Sequence, residues 1–234
     1  MKLITSTKHN TVKQLERSLV IIKPDGTVRR RVSALVLQAL LDREYRVSAF
    51  REMKVPENLA ERHYAVHKEK PFFPWLVRFL SSAPVLAMIL EADGVIQGVR
   101  DALGATFVQK ADPDSLRGKY GIWAGVNIAH ASDAPETATK EIELWTTQGG
   151  LEESPDAENA ARAYIQRYNQ GDADYTTMIR EVVKNAIEQK DLSDTVLISL
   201  KDLFARDAAG IDKSDTDTLA EVVFDFIREE VVRE

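Results

Sequence analysis

Up to about residue 145 the apolar pattern keeps switching between strand-length runs and helix-period stripes, and beyond Gly149-Gly150 only the helical stripes remain. A chain patterned that way reads as an α/β domain followed by an all-helical segment. Leu19, Val20, Ile21 and Ile22 form an apolar run that stops at the turn signal Pro24-Asp25-Gly26, which predicts a buried strand ending near Lys23. Val32, Leu35, Val36, Ala39 and Leu40 recur at three and four and predict a helix with one apolar face. Val47, Ala49, Arg51 and Met53 alternate as a second strand, with Arg51 out of pattern. Helical spacing follows over 57–66, 75–80 and 94–103, and Pro84 opens an apolar run at 85–90 that reads as a central strand. The stretch 120–124 is the candidate fourth strand. Asp133, three residues before Glu136 and with Pro135 in the first turn, has the form of a capping box for a helix running to about Trp145. Four strands separated by helices predict an α/β sandwich, and the strand order stays open.

The 234 residues are read as an α/β domain at 17–148, preceded by an extension at 1–16 and followed by a helical domain at 151–234. Charge divides at the same place. Residues 1–150 carry 21 Lys and Arg against 17 Asp and Glu, whereas residues 151–234 carry 10 against 20, formally +4 and −10. An acidic second part is a poor match for nucleic acid or an anionic membrane, while the mildly basic first part suits anionic ligands. The helical part shows four apolar faces, on Ala160 to Tyr168, Ile179 to Ile187, Val196 to Phe204, and Leu219 to Val231. Thr218 with Glu221 is the expected start of the last helix, and the acidic stretch at 212–217 reads as a helix start because a calcium loop would need a glycine at its sixth position. These four helices can bundle alone, on the first domain, or across an oligomer interface.

No apolar run approaches the roughly twenty residues a membrane helix needs, and residues 1–16 lack a signal-peptide core. The chain has no cysteine, which excludes disulfides and thiolate chemistry and favours a cytoplasmic address.

Three clusters carry chemistry: Lys23-Pro24-Asp25-Gly26 at a strand end, His63-Tyr64 through Lys70-Pro71-Phe72-Phe73, and Asn127-Ile128-Ala129-His130-Ala131-Ser132-Asp133. A phosphoryl transfer needs several cations and donors around a polyanion, and Lys23, Arg100 and Arg117, with the neutral donors Tyr64 and Thr106, are candidates. Neutral imidazole is a suitable covalent relay near pH 7, and a carboxylate at Glu141 could reach back to His130.

Together, and in this order, these clusters resemble nucleoside diphosphate kinase over residues 16–145, with Arg100, Gly104, Thr106 and Arg117-Gly118 also in register. The resemblance implies a ferredoxin-like α/β sandwich with an antiparallel sheet, followed here by an all-α extension. It implies that His130 takes the γ-phosphoryl group from a nucleoside triphosphate and passes it to a nucleoside diphosphate, with Glu141 and Ser132 orienting the ring. Lys23 and Asn127 would contact the sugar hydroxyl, with Lys23 also near the transferred group. Tyr64, Arg100, Thr106 and Arg117 would contact phosphates, and Phe72 would stack on the base, whose π face is common to all nucleosides. Mg²⁺ would be held by phosphates and water, with Asp133 assisting through water, and the chain would form a homo-oligomer, a hexamer or tetramer. Three departures stand out: Ala131 where a glycine is common, Val126 where arginine is frequent, and a segment at 107–115 without the usual Asn-Pro-Ala and Pro-Gly elements. The first and the last, Ala131 and the 107–115 segment, motivate a second reading, a weakly active nucleotide-binding adaptor whose C-terminal helices contact partners or subunits. His9, His63 and His67 receive no role.

Overall fold

The computed structural model describes residues 15–171 and 174–233, which places His9 outside the described residues. Four strands, β1 (Leu15–Ile22), β2 (Arg46–Met53), β3 (Val85–Asp93) and β4 (Ala129–Ala131), form one sheet in the order β2-β3-β1-β4. Every neighbouring pair is antiparallel. Between and after them run helices α1 (Pro24–Thr27), α2 (Arg30–Leu41), α3 (Glu57–His63), α4 (Phe73–Ser81), α5 (Val95–Leu103), α6 (Leu116–Tyr120) and α7 (Pro135–Thr147). The extension contributes α8 (Ala157–Tyr168), α9 (Thr176–Glu188), α10 (Asp194–Ala205) and α11 (Lys213–Arg233). This is the antiparallel ferredoxin-like sandwich with added C-terminal helices that the resemblance implied.

The strand pleat sorts the core into two layers, because successive side chains point to opposite faces. Val20, Ile22, Leu86 and Met88 face α2, α5 and α8. Leu19, Ile21, Ala87 and Ile89 face α3, α4 and α7, with Leu59, Leu80, Ile142 and Trp145 filling that side. His130 is paired with Ile21, so its ring projects toward α3 and α7.

Three sequence expectations are corrected. The fourth strand is Ala129–Ala131 rather than 120–124: Tyr120 closes α6, and residues 122–126 form a tight turn in which Val126 N–H donates to Trp123 O at 2.8 Å. Residues 122–126 are apolar because Ile122, Ala124 and Val126 lie beneath α9–α11, while β4 is too short to display a period-two pattern. The capping box at Asp133 does not form; α7 starts at Pro135, its N-cap is Ala134, and no side chain caps it. Nor does Thr218 start the last helix. α11 begins at Lys213, as the acidic stretch suggested, and the Thr218 hydroxyl donates back to Ser214 O within it. Arg51, out of pattern in β2, follows a register shift at Val47/Ala49 and donates to Gly150 O at 2.5 Å.

The extension folds onto the first part of the chain. After α7 the chain returns along the outer edge of β2, where Glu153 pairs with Ala49 and Ser154 N–H donates to Ser48 O at 3.0 Å, so that edge is covered. α8 then lies on the α2 face through Ala157, Ala161, Tyr164 and Ile165. Helices α9, α10 and α11 share one apolar cluster with Val28, Trp75, Phe79 and the 122–126 turn, and the Trp75 indole donates to Val222 O at 2.9 Å. Asp207 caps α2 from outside: its carboxylate accepts Arg31 N–H at 2.8 Å, where the helix's own N-cap, Arg29, offers no side-chain bond. Among the described residues no helix is long and apolar enough to cross a membrane.

Candidate active site

His130 sits on β4, the edge strand beside β1, and the same short strand sets its surroundings. Just past it, Ser132 continues alongside β1, its N–H donating to Leu19 O and its hydroxyl oxygen accepting Leu19 N–H, both at 3.1 Å. That hydroxyl donates in turn to Glu141 Oε2 at 2.6 Å. Glu141 belongs to the stripe of α7 that also carries Ala138, Ile142 and Trp145 onto the sheet, and its other oxygen lies 3.0 Å from His130 Nε2. The oxygen stands off the line of a ring N–H, so Nε2 approaches the carboxylate closely without a well-aligned hydrogen bond. A carboxylate at Nε2 favours the tautomer protonated there and leaves Nδ1 with its lone pair.

The neighbour on the other side is His63, which sequence reasoning left without a role. It closes α3 on the stripe begun by Leu59 and Ala60. Its ring meets that of His130 edge to face, with centroids 4.5 Å apart, and the Trp145 indole donates to its Nδ1 at 3.3 Å. Burial, then the His130, His67 and Lys23 charges, hold His63 well below its ordinary pKa, so it stays neutral beside the relay candidate. No spacing in the sequence marks it; only the meeting of α3 with β4 does. Tyr64 stacks edge-on against His63 with centroids 4.8 Å apart, and burial with Asp25 and Glu141 nearby pushes its phenol upward.

Lys23 follows β1 directly. Its N–H donates to Ile128 O and its ammonium to Gly125 O, both at 2.7 Å, and the ammonium lies 5.2 Å from the centre of the Phe79 ring. Burial lowers its pKa to about 8, Asp25 opposing and Arg117 adding to the fall. Asp25, read in the sequence only as a turn residue, is fully buried, and its Oδ2 accepts Ile128 N–H at 2.9 Å. That bond holds Ile128 at φ 67°, a conformation that costs a β-branched side chain energy, two residues before His130. Gly26 makes the close approach possible, since a Cβ there would stand 2.7 Å from Ile22 Cγ2 and 3.1 Å from Ile128 O.

On α6, the Arg117 guanidinium donates to Gly104 O and to Ala129 O, each at 2.8 Å, and burial, then Arg100, lowers its pKa to about 10, with Asp25 opposing. Asn127 donates to Thr106 O at 2.6 Å and keeps Oδ1 buried without a partner. Arg100, Thr106 and Asp133 are exposed. The two phenylalanines of the 71–74 stretch diverge: Phe73 packs on the core, whereas Phe72 is 37% exposed, its ring 5.7 Å from that of His67. Geometry thus joins His130, Glu141, Ser132, Tyr64 and His63 directly, and ties Lys23 and Arg117 to Gly125 O and Ala129 O on the stretch that leads into His130.

The family model described as nucleoside diphosphate kinase matches residues 16–150. The chain belongs to the nucleoside diphosphate kinase family. Similar proteins so named come from Trichormus variabilis, 44% identical over 137 residues that span 58% of this chain and 91% of the relative, and from Thermosynechococcus vestitus, 44% identical over 131 residues that span 56% and 87%. Among solved structures, an orthorhombic crystal form of the Aquifex aeolicus nucleoside diphosphate kinase superposes with a TM-score of 0.55 at 35% identity, covering 60% of this chain and all of that one. The kinase match ends where the helical extension begins.

Proposed function

We propose that the chain is a ping-pong nucleoside diphosphate kinase in which His130 carries the phosphoryl group between nucleotides. In the first half-reaction the Nδ1 lone pair forms a bond to the γ-phosphorus of a nucleoside triphosphate, and the bond to the bridging oxygen breaks with its electron pair passing to the departing diphosphate. The second half-reaction runs the same step backwards onto another nucleoside diphosphate. Glu141, fixed by Ser132, keeps the proton on Nε2 and offsets the positive charge the ring gains on attack. The observation that carries this reading is the chain from Leu19 N–H through Ser132 and Glu141 to Nε2, which orients one ring nitrogen and leaves the other free.

Lys23, Tyr64, Arg100, Thr106, Arg117 and Asn127 would bind the phosphates and sugar. The unpaired Asn127 Oδ1 supports this, as a buried acceptor wants a hydroxyl donor. The exposed Phe72 would stack on bases of any kind. Among the described residues, the group with metal-ligand spacing is His63, His130 and Glu141, a nitrogen-rich set unsuited to a hard cation. That fits Mg²⁺ arriving on the nucleotide, held by phosphates and water with Asp133 at most an outer partner, and supplying charge neutralisation on the phosphates. Residues 17–148 form the catalytic part of this reading and the acidic residues 151–234 its support; a hexamer or tetramer follows from the resemblance, and a cytoplasmic setting from the lack of cysteine.

With labelled ATP and Mg²⁺ the protein should gain one acid-labile, alkali-stable phosphoryl group, and His130→Ala should abolish it. Labelling that survives the substitution refutes the relay. Tight nucleotide binding with negligible exchange would favour the adaptor.

A further inference from the structure

We propose that Arg180, in the helical extension, is a positioning residue for the nucleotide phosphates: it fixes α6 so that Arg117 is presented to the site. The inference rests on the assignment of Arg117 to phosphate binding and adds a part of the chain that lies outside the kinase match.

α6 is a five-residue helix, little more than one turn, and cannot hold its own conformation. Its N-terminal end is closed by Ser115, whose hydroxyl oxygen accepts Gly118 N–H at 3.1 Å. Its C-terminal carbonyls need donors from elsewhere, and α9 provides them. Arg180 Nε donates to Gly121 O at 2.5 Å, and its Nη2 donates to Gly118 O at 2.7 Å and, more weakly, to Arg117 O at 3.4 Å. The planar fork engages two carbonyls at once, which a lysine ammonium on a flexible stem does less well. A positive charge at the carbonyl end of a helix is also favourable in itself.

A second arginine ties the same two elements. Arg29, almost fully buried, donates through Nη2 to Tyr120 O at 2.9 Å, through Nη1 to the Thr176 hydroxyl on the first turn of α9 at 2.6 Å, and through Nε to Asp25 O at 2.7 Å. Asp25 is the residue that holds Ile128 ahead of His130. Beyond α6 the 122–126 turn is packed under Ile179, Val183 and the rest of the α9–α11 cluster, and Gly125 within it accepts from Lys23. The segment that carries Arg117 at one end and Asn127 at the other is therefore gripped from behind by the extension. On the ligand side Arg117 is held at Gly104 and Ala129. Releasing Arg180 leaves that side intact and frees the backbone from which it extends.

The test is Arg180→Gln in the full-length chain, with Arg117→Met and the double variant. If Arg117 acts on ground state and transition state alike, a misplaced α6 raises nucleotide KM. We expect KM for both nucleotides to rise about tenfold in Arg180→Gln with kcat within about threefold, and Arg180→Lys to recover part of the loss. In the double variant Arg180→Gln should add nothing to Arg117→Met, because it acts through that residue. A lesion that is only structural reduces the fraction of active protein, lowering kcat with KM unchanged, and that result overturns the proposal. So does full multiplication of the two effects. If Arg117→Met itself leaves KM unchanged, the phosphate-binding assignment fails instead. Should Arg180→Gln not fold, Arg180→Lys decides alone, a raised KM supporting the brace and an unchanged KM overturning it.

Discussion

Raising the pH from 7 to 10 should weaken catalysis while removing a cost from the fold, and both changes originate at Lys23. The ammonium is buried, and burial lowers its pKa to about 8 from a reference of 10.5. In the free enzyme, if Lys23 must be charged to receive a polyphosphate, the competent fraction falls from about 90% at pH 7 to about 10% at pH 9, so kcat/KM should drop about tenfold over that range. Bound phosphates favour the ammonium, so the break in kcat should lie at higher pH than the break in kcat/KM. Stability moves the other way. Because the folded-state pKa is depressed, the unfolded chain holds more protons between pH 8 and 10.5, and this group's contribution becomes more favourable as pH rises through that window. Integrated over the shift, the burial penalty relieved is about 3 kcal/mol. The assay is a kcat/KM profile with a nucleoside diphosphate acceptor, paired with denaturant unfolding at pH 7.5 and 10, for the wild type and for Lys23→Gln. Subtracting the variant removes the other lysines and tyrosines from the stability difference. A kcat/KM flat to pH 9.5 would refute the reasoning, as would an alkaline break that persists in Lys23→Gln.

Two further outcomes follow from the geometry. Glu141→Gln keeps the shape but loses the charge beside Nε2, so kcat should fall about 10- to 100-fold with nucleotide KM within threefold, measured by steady-state kinetics; a kcat near wild type would show that the carboxylate does not act on the ring. Asp207→Ala removes the only side-chain cap described for α2 and should cost about 1 kcal/mol in denaturant unfolding, whereas an unchanged midpoint would mean that solvent caps the helix equally well.

Much of this molecule is legible in the order of its residues, and the failures share a cause. β1 and β3 announce themselves because they are central and buried on both faces over 19–22 and 85–90, where every position is Leu, Val, Ile, Ala or Met. β4 does not, being three residues long, and its neighbour at 120–124 looked strand-like because helices more than fifty residues away bury it. A local pattern records that a side chain is buried but not by what. The site shows the same division. His130, Ser132 and Glu141 are found from a motif, since one strand and the next helix hold all three. His63, Asp25 and Arg180 have no such signature. Each acts through a contact between elements distant in sequence, and each sits at a place where a bland explanation, core residue, turn former or surface cation, is ordinarily sufficient.

The opposite charges of the two parts invite the view that electrostatics holds the extension in place, but the contacts argue against it. Arg17 meets Glu153 at 2.5 Å, Arg78 meets Asp225 at 2.9 Å, and Lys54 pairs with Asp215, yet the cationic partners are substantially exposed. Exposed pairs of this kind are worth about 0–1 kcal/mol each and are screened by salt. Against them stands an apolar cluster in which Trp75, Phe79, Ile122 and Val126 meet Ile179, Leu200, Phe204, Leu219, Val223 and Ile227, all buried. Each such side chain contributes about 1.5–3 kcal/mol on burial, so apolar contact outweighs the ion pairs severalfold. Once that contact is made, Arg29 and Arg180 can reach the carbonyls of α6. Those bonds depend on where the helices are set down, and the apolar cluster alone would tolerate a small rotation that the two arginines would not.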